Sequence, residues 1–314
     1  MSAPRIVSLL PSATEIVAAL GFADALVGRS HECDYPDELE DVPVCTEAKI
    51  NPLGSSDAIH RSVGALLSEA LSVYRVDARR LRELRPTHVV TQVQCEVCAV
   101  SLEEVEAALS DWAGERPALV ALNPGCLADV FGDIERVAAA LGVAERGARL
   151  AAALRERMAR IGAAASALPK RPSVATVEWL SPLMTAGNWM PELIAMAGGT
   201  DLFGQTGRHS SWMEWETLRA ADPDVLMVFP CGFALERVER EAGLLTSLPG
   251  WNALSAVRSG RVYLAEGNQY FNRPGPRLCE TLEIVAEILH PEAFPFGHEA
   301  SGWLRLEPVA AGTS

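Results

Sequence analysis

Two well-separated segments of this chain carry the same order of sequence signals. Leu81–Thr91 and Leu218–Val228 each begin with a helix-forming stretch, reach a proline and continue as an apolar, strand-forming run. Because proline cannot continue a helix, each segment predicts a helix that ends and a strand that follows at once. Each strand leads into a loop with a cysteine, Cys95 in the first copy and Cys231 in the second. The repeat predicts two α/β lobes whose loops face a shared cleft.

The remaining signals predict an α/β fold of two doubly wound lobes joined by one long rigid helix. The apolar run Ile6–Leu10 precedes Ser12–Glu15, which matches a capping box, so we expect a strand that feeds directly into a helix. Such a unit binds ligands beyond the carboxyl ends of its strands. Residues 51–76 are expected to be mostly helical. Further strands are expected at 25–28, 88–93, 118–122, 174–177, 225–229 and 262–265.

The stretch after Gly142 predicts the helix that joins the lobes. It is rich in Ala, Leu, Arg and Glu rather than in the Gly, Ser and Pro of flexible linkers. A helix of about 25 residues spans about 37 Å, which is long enough to connect two lobes stiffly. The expected domains are an N-terminal lobe at 1–143, a bridging helix at 144–168, a C-terminal lobe at 169–295 and a tail at 296–314.

The composition excludes several classes of function. Apolar residues make up 49% of the 314 residues, which suffices for folded cores. The net charge is −14 and no basic stretch is interleaved with aromatic residues, so nucleic-acid binding is not expected. No stretch reaches the ~20 apolar residues of a membrane span, and the short run at 6–10 is unlike a secretory signal. We therefore expect a cytoplasmic monomer, or a periplasmic or cell-surface protein if this N-terminus is trimmed or misassigned.

Several amide and aromatic residues fall in loops after the expected strands, where core packing does not require them. Large aromatic side chains beside amides and hydroxyls suit a flat, partly apolar ligand. An alternative role for them is to seal the interface between the lobes. The loop residues selected on this ground are Gln94, Trp179, Trp189, Trp212, Tyr270 and Phe271.

The cysteines do not suggest a disulfide framework, because seven of them are scattered along a long chain. Cys95 and Cys98 form a single CxxC motif without a second pair, which is a weak zinc signal. Three roles remain open: buried structural cysteines, ligands of zinc, iron or cobalt, and a redox pair. The candidate metal ligands are Cys33, Cys95, Cys98, Cys231, His31 and His209.

Motifs of common enzyme classes are absent from the sequence. No nucleophile elbow, phosphate-binding P-loop or glycine-rich dinucleotide motif follows an expected strand. Gly198 and Gly199 follow a short expected helix and form a turn, not a nucleotide-binding loop. The sequence therefore favours a binding protein over an enzyme.

Motifs spread in order over nearly the whole chain carry a family resemblance. On these stretches the chain resembles the cobalamin-binding members of the periplasmic binding proteins that serve ABC transporters, in which a single helix joins two lobes. The stretches are Ser8–Glu15, Gly28–Pro36, Leu81–Val90, Thr185–Gly187, Met196–Phe203, Trp215–Val228 and Phe271–Arg277.

The resemblance implies a non-catalytic protein that holds cobalamin or a related corrinoid between its lobes. The protein would serve an ABC permease during uptake, or bind a corrinoid inside the cell. The residues themselves also leave open a thiol- or metal-dependent enzyme, or a metal-ion or haem binder, that uses Cys95, Cys98 and neighbouring cysteines. The contacts that the resemblance implies are Pro11, Ser12, Ala13, Thr14, Asp34, Tyr35, Gly187, Asn188, Trp212, Tyr270 and Phe271.

Overall fold

The computed structural model describes residues 3–68, 73–93, 102–109, 112 and 115–307. The chain forms two compact units. Unit 1 comprises Met1–Leu154 with Pro274–Pro276, and unit 2 comprises Arg155–Arg273 with Arg277–Ser314. Each unit is built around a largely parallel sheet.

The sheet of unit 1 has the strand order β2-β1-β5-β6, and its neighbouring strands are all parallel. Strands β3 and β4 form a separate two-stranded antiparallel sheet. Parallel strands are usually covered on both faces, and β1 is buried at every residue. The strands of unit 1 are β1 (Ile6–Ser8), β2 (Leu26–Arg29), β3 (Thr46–Ala48), β4 (Tyr74–Val76), β5 (His88–Gln92) and β6 (Ala118–Leu122).

The helices that begin in unit 1 follow its strands. Short 3₁₀ turns occupy Ala23–Ala25 and Asp37–Leu39. The helices are α1 (Pro11–Ala19), α2 (Ser56–Ser68), α3 (Ala78–Leu84), α4 (Leu102–Ala108), α5 (Leu127–Ala140) and α6 (Ala144–Ser166). The region 51–76, expected to be mostly helical, thus contains α2 and also strand β4.

The capping box predicted at Ser12–Glu15 is wrong. Helix α1 begins at Pro11, with the extended Leu10 as its N-cap and no side-chain cap hydrogen bond. Proline suits the first helical position because its missing N–H would have no partner there. The Thr14 hydroxyl instead lies 2.8 Å from Ser8 Oγ.

Helix α6 corresponds to the long helix predicted at 144–168. Its 23 residues span about 35 Å at 1.5 Å per residue. Its buried positions include Ala151, Met158 and Ile161, which share one side of the helix. The two compact units divide between Leu154 and Arg155, inside α6, whereas the sequence placed the lobe boundaries at the ends of this helix.

The sheet of unit 2 has the order β10-β7-β12-β13-β14, in which only β14 runs antiparallel to its neighbour. Strands β11, β9 and β8 form a small antiparallel sheet. The strands of unit 2 are β7 (Ser173–Val177), β8 (Trp179–Leu180), β9 (Leu183–Thr185), β10 (Thr200–Asp201), β11 (Ser211–Trp212), β12 (Val225–Val228), β13 (Val262–Ala265) and β14 (Trp303–Arg305).

The helices of unit 2 include one that is buried at nearly every residue, α12. Along the described part of the chain, no helix combines the length and the apolar character needed to cross a membrane. A 3₁₀ turn occupies Trp251–Ala253, and Gly267–Phe271 forms a π-helical turn. The helices are α7 (Met190–Met196), α8 (Trp215–Ala221), α9 (Leu235–Glu241), α10 (Gly243–Thr246), α11 (Ser255–Arg258) and α12 (Leu278–Leu289).

The repeated sequence pattern produces the same local structure in both units. Helix α3 ends at Arg85 and helix α8 at Asp222, each in a left-handed conformation with φ of 46° and 43°. Each of these residues precedes a proline, which disfavours the right-handed helical region. The strands that follow, β5 and β12, both lie inside their sheets. The prediction of two sheet-based α/β units is confirmed.

Part of the predicted tail at 296–314 forms regular structure. Strand β14 pairs antiparallel with β13. The Trp303 indole is buried, donates a hydrogen bond to Glu287 Oε2 at 3.0 Å and packs edge-on to Tyr263. A three-residue strand shows too little alternation to be recognised, so the sequence did not reveal it.

Candidate ligand-binding loops

A network of buried hydroxyl and thiol groups lies where β1 passes into α1. Thr14 Oγ1 lies 2.8 Å from Ser8 Oγ and 3.0 Å from Cys33 Sγ. The Ser8 hydroxyl donates to the Leu10 carbonyl oxygen at 3.1 Å. Because buried polar groups need hydrogen-bond partners, this network stabilises the turn. Thr14, a predicted ligand contact, and Cys33, a predicted metal ligand, are therefore engaged inside unit 1.

The other predicted contacts of unit 1 differ in how much surface they offer. Ser12 and Ala13 are buried, and Pro11 is half-buried. Asp34 is exposed, and Tyr35 exposes 44% of its surface. Accessible side-chain surface in this set therefore belongs to Pro11, Asp34 and Tyr35. The predicted residues Gln94, Cys95 and Cys98 lie outside the described residues.

His31, a predicted metal ligand, is fixed by the strand pair β3–β4. Its backbone N–H donates to Thr46 Oγ1 at 3.0 Å, and its Nδ1 lies 2.7 Å from the same oxygen. The imidazole also packs against Tyr74, with ring centroids 5.4 Å apart. Burial lowers the pKa of His31, and the charge of Glu47 opposes this shift. The ring is thus held in place and favoured in its neutral form.

In unit 2, a carboxylate follows β7 directly and fixes a neighbouring loop. The Ser210 hydroxyl donates to Glu178 Oε2 at 2.8 Å and accepts from the Gly187 N–H at 3.2 Å. The backbone N–H of Cys231, just after β12, donates to the Glu178 carbonyl oxygen at 3.1 Å. Glu178 therefore connects three loops at the carboxyl ends of the strands of unit 2.

Trp179 belongs to a stack of three side chains in unit 2. Its ring packs edge-on against Phe233, with centroids 5.4 Å apart. The Arg237 guanidinium lies over the Phe233 ring, 3.5 Å from its centroid. A cation over an aromatic face is attracted by the electrons of the ring. Trp179 remains half-buried, so part of its indole is accessible to a ligand. Sequence reasoning did not select Phe233 or Arg237.

Three predicted aromatic contacts of unit 2 occupy different environments. Trp189 and Phe271 are buried, and the Trp189 indole N–H donates to the Phe271 carbonyl oxygen at 3.0 Å. Phe271 also stacks on Phe229, with centroids 4.5 Å apart. Tyr270 is half-buried, whereas Trp212 exposes 58% of its surface on β11. Trp189 and Phe271 pack inside the unit, and Trp212 and Tyr270 offer surface to a ligand.

The turn that carries Tyr270 and Phe271 is held by a buried carboxylate that sequence reasoning missed. Glu266 is 4% exposed. Its Oε1 accepts from the Asn268 and Gln269 N–H groups at 3.0 and 3.2 Å, and its Oε2 accepts from the Leu235 N–H at 2.7 Å. Burial raises the pKa of Glu266, although the three donors oppose the shift. Its position just after β13 is the only signal in the sequence, and it does not distinguish Glu266 from a surface glutamate.

The candidate metal ligands do not form a cluster within the described ranges. No group of three or more His, Cys, Asp and Glu side chains among these residues is arranged to hold a metal ion. Cys231 is half-buried and His209 is exposed, with His209 Nδ1 3.2 Å from the Ser210 carbonyl oxygen. The metal roles of Cys95 and Cys98 stay predictions, because these residues lie outside the described part of the chain.

Comparison with known proteins places this architecture in a family. Residues 6–268 match the model of the family described as "Periplasmic binding protein". The chain is 23% identical over 299 residues to the uncharacterized ABC transporter substrate-binding lipoprotein YvrC of Bacillus subtilis (strain 168), covering 92% of this chain and 81% of that protein.

Two further relatives are named for what they bind. The vitamin B12-binding protein of Vibrio parahaemolyticus serotype O3:K6 (strain RIMD 2210633) is 23% identical over 299 residues, covering 90% of this chain and 87% of that protein. The structure of the periplasmic heme-binding protein RhuT from Roseiflexus sp. RS-1 in apo form matches with a TM-score of 0.68 and 25% identity, over 93% of this chain and 100% of that chain.

These matches bear on the expected kind of function. Proteins of this family bind a small-molecule substrate without catalysis and deliver it to the permease of an ABC transporter, so the expectation of a binding protein rather than an enzyme is confirmed. Two of these three relatives are a lipoprotein and a periplasmic protein, and they do not support a cytoplasmic location. The chain belongs to the periplasmic binding protein family, as a substrate-binding component of an ABC-type uptake system.

Proposed function

We propose that the substrate of this protein is cobalamin or a related corrinoid, bound by accessible aromatic residues of both units. The observation that carries the proposal is the exposure of large aromatic side chains, namely 44% for Tyr35 in the loop after β2 and 58% for Trp212 on the short strand β11. An exposed indole or phenol offers a flat apolar face with a polar edge, which suits a macrocycle with amide side groups. The vitamin B12-binding relative supports this choice of ligand.

The proposed contacts of unit 1 are the accessible members of the predicted set. Pro11 would pack against the ligand at the start of α1, and Asp34 and Tyr35 would contribute polar and aromatic contacts. Ser12, Ala13 and Thr14 would support this surface from behind, since they are buried. Gln94 stays a proposed contact on the basis of the sequence.

The proposed contacts of unit 2 are Trp179, Trp212 and Tyr270. Trp179 is supported by Phe233 at its edge, and Tyr270 is carried by the turn that Glu266 holds. The buried Trp189 and Phe271 would shape the site from behind through their mutual hydrogen bond. The expectation of a ligand cleft between the lobes stays a prediction.

Haem is the second candidate ligand. The similarity to the heme-binding protein RhuT favours it, at 25% identity. Haem is also a flat macrocycle, so the same aromatic contacts would suit it. The two ligands differ in their charged groups, because haem carries carboxylates whereas a corrinoid carries mainly amides. A titration with each compound separates the two candidates.

The test is calorimetric titration of the purified full chain with cyanocobalamin, dicyanocobinamide and hemin. We expect the corrinoids to bind with a Kd of about 1 μM or tighter, equivalent to about −8 kcal/mol. Tyr35→Ala and Trp212→Ala should each weaken binding about tenfold or more, because aromatic side chains that the ligand buries on binding dominate binding energies.

Matched controls use exposed apolar residues outside the proposed contacts. Leu53→Ala in unit 1 and Phe296→Ala in unit 2 remove side chains that are 86% and 41% exposed, and we expect affinities within about twofold of the wild type. Hemin binding without any heat from the corrinoids would replace the proposed ligand with haem. No heat from all three compounds would overturn the proposal.

A further inference from the structure

The segment that carries Trp212 is held against the loop that follows β9. The Asn188 N–H donates to the Arg208 carbonyl oxygen at 2.6 Å, and the Gly207 N–H donates to the Asn188 carbonyl oxygen at 3.1 Å. The next residues, Ser211 and Trp212, form β11 and pair with β9. The segment 206–212 is thus fixed by main-chain hydrogen bonds on both sides of Arg208.

Gly187 is required for this close approach. A Cβ atom at position 187 would lie 2.3 Å from the Arg208 carbonyl oxygen and 2.9 Å from the backbone of His209 and Ser210. Such distances are shorter than any real Cβ contact, and the opposing atoms are main chain, which cannot rotate away. Any side chain at this position would therefore displace segment 206–212.

Asn188 and Ser210 complete the attachment. Asn188 has a φ of 52°, a left-handed conformation that asparagine tolerates better than most residues. The Ser210 hydroxyl accepts from the Gly187 N–H and donates to Glu178 Oε2, which ties the segment to the end of β7. Gly187 is buried and has no side chain, whereas Trp212 is 58% exposed. Trp212 therefore offers side-chain surface to a ligand, and Gly187 offers none.

We propose that Gly187 and Asn188 are positioning residues that hold segment 206–212, and with it Trp212, in the orientation that binds the substrate. Their effect on affinity acts through Trp212 and not through direct contact with the substrate. This inference rests on the proposed function, because it assumes that Trp212 contacts the ligand. The family resemblance implies that Gly187 and Asn188 contact the ligand themselves. In this proposal they instead support the contact made by Trp212.

The main test is a double-mutant cycle between Gly187→Ala and Trp212→Ala, with cyanocobalamin as the probe. Gly187→Ala should weaken binding about tenfold in the wild-type background and less than about threefold in the Trp212→Ala background, because the residue it acts through is already absent. An equal loss in both backgrounds would overturn the proposal. Gly243→Ala is the matched control, since a Cβ there meets no atom within 4 Å, and it should leave the affinity unchanged.

A second variant covers the case in which Gly187→Ala fails to fold. Asn188→Gly removes the amide but keeps the left-handed backbone and its N–H and carbonyl groups. We expect binding of cyanocobalamin within about threefold of the wild type. A loss of about tenfold or more that persists in the Trp212→Ala background would mean that the Asn188 side chain contributes to binding independently of Trp212, which contradicts a positioning role.

A ligand-free measurement separates failure of this inference from failure of the proposed function. Arg208 is exposed and lies in the held segment, so limited trypsin digestion reports on its attachment. Gly187→Ala should accelerate cleavage after Arg208, whereas Gly243→Ala should not. If cyanocobalamin does not bind the wild type, the corrinoid proposal fails. If the cleavage rate is unchanged in a folded Gly187→Ala variant, the positioning role fails.

Discussion

Units 1 and 2 repeat one strand order with different chemistry at the ends of the strands. In unit 1 the order is β2-β1-β5-β6, and in unit 2 the corresponding strands are β10-β7-β12-β13. In unit 1 the polar side chains at and beyond the ends of β1 and β2 include hydroxyls and a thiol, represented by Ser8, Thr14 and Cys33, which contact one another. In unit 2 the carboxylates Glu178 and Glu266 follow β7 and β13, and they accept from a hydroxyl and from main-chain N–H groups.

The two units differ in the type of side chain that holds their loops in place. The hydroxyl and thiol contacts around Thr14 in unit 1 join side chains up to 19 residues apart. A buried carboxylate needs several donors, and it finds them on loops that are far apart in the chain. Glu266, for example, bonds both to its own turn and to Leu235, 31 residues away. We therefore expect the loops of unit 2 to depend more strongly on single residues than those of unit 1.

The largest expected effect follows from loss of the Glu266 carboxylate. Glu266→Ala removes the acceptor of the Leu235 and Gln269 N–H groups, whereas the Asn268 N–H keeps the Phe233 carbonyl oxygen, and it should lower the free energy of unfolding by about 3 kcal/mol. Urea denaturation of the full chain measures this change. Glu239→Ala, which removes an exposed carboxylate on α9, should cost less than about 0.5 kcal/mol. Equal losses in the two variants would contradict the special role of Glu266.

A smaller effect is expected from the hydroxyl network of unit 1. Thr14→Val keeps the shape of the side chain but removes the hydroxyl beside Ser8 and Cys33, so we expect a loss of about 1–2 kcal/mol in urea denaturation. The same change at the exposed Thr217 of α8 is the control and should cost less than about 0.5 kcal/mol. A loss at Thr14 as large as that at Glu266 would remove the distinction between the two units.

Two aspartates should respond to pH with opposite signs. Burial raises the pKa of Asp133 in unit 1 to about 6, so its contribution is complete below its ordinary pKa of about 3.9 and is lost as the pH rises through 6. Hydrogen bonds from the Ser173 N–H and hydroxyl lower the pKa of Asp224 in unit 2, so its contribution is present above the ordinary pKa and is lost at more acidic pH.

Urea denaturation of the wild type, Asp133→Asn and Asp224→Asn at several pH values tests the direction in which each aspartate changes stability with pH. Relative to Asp133→Asn, the wild type should lose stability between pH 4 and pH 7. Relative to Asp224→Asn, the wild type should gain stability as the pH rises from 2 to 5. The same sign for both comparisons would show that one of the two environments is wrongly described.

The smallest expected effect concerns an ion pair on the surface of unit 1. Lys49 Nζ lies 2.7 Å from Glu104 Oε1, and both side chains are 27% exposed. The coupling energy from a double-mutant cycle of Lys49→Met and Glu104→Gln should be about 0.5 kcal/mol and should fall in 1 M NaCl. A coupling above about 2 kcal/mol would mean that cross-element charges matter as much in unit 1 as buried carboxylates do in unit 2.

The sequence predicted most of the parallel strands well. β6 and β13 have the predicted bounds, because each is a short apolar run between turn-forming residues. The predicted start of α1 was wrong, because Pro11 and the capping-box pattern at Ser12–Glu15 indicate different starts, and the helix begins at Pro11 without a side-chain cap. Strand β14 was missed, because its evidence is tertiary: the Trp303 indole needs the Glu287 carboxylate of α12.

The candidate site was less predictable than the fold. Trp189 and Trp212 both lie outside the apolar periodic segments, yet the structure buries the first and exposes the second. Burial of a loop aromatic depends on tertiary packing, and a buried indole N–H needs an acceptor. The acceptor of Trp189 is the carbonyl of Phe271, 82 residues away. Glu266 was missed for the same reason, since its donors become visible only when the loops are folded.

Strand β14 has a practical consequence for anyone who shortens this polypeptide. It occupies the outer side of β13, whose amide and carbonyl row would otherwise be open to pairing. A recombinant version that stopped after α12 would leave that row uncovered and prone to self-association through intermolecular strand addition. Affinity tags and fusion partners are therefore best attached beyond residue 307, where the antiparallel strand is already complete.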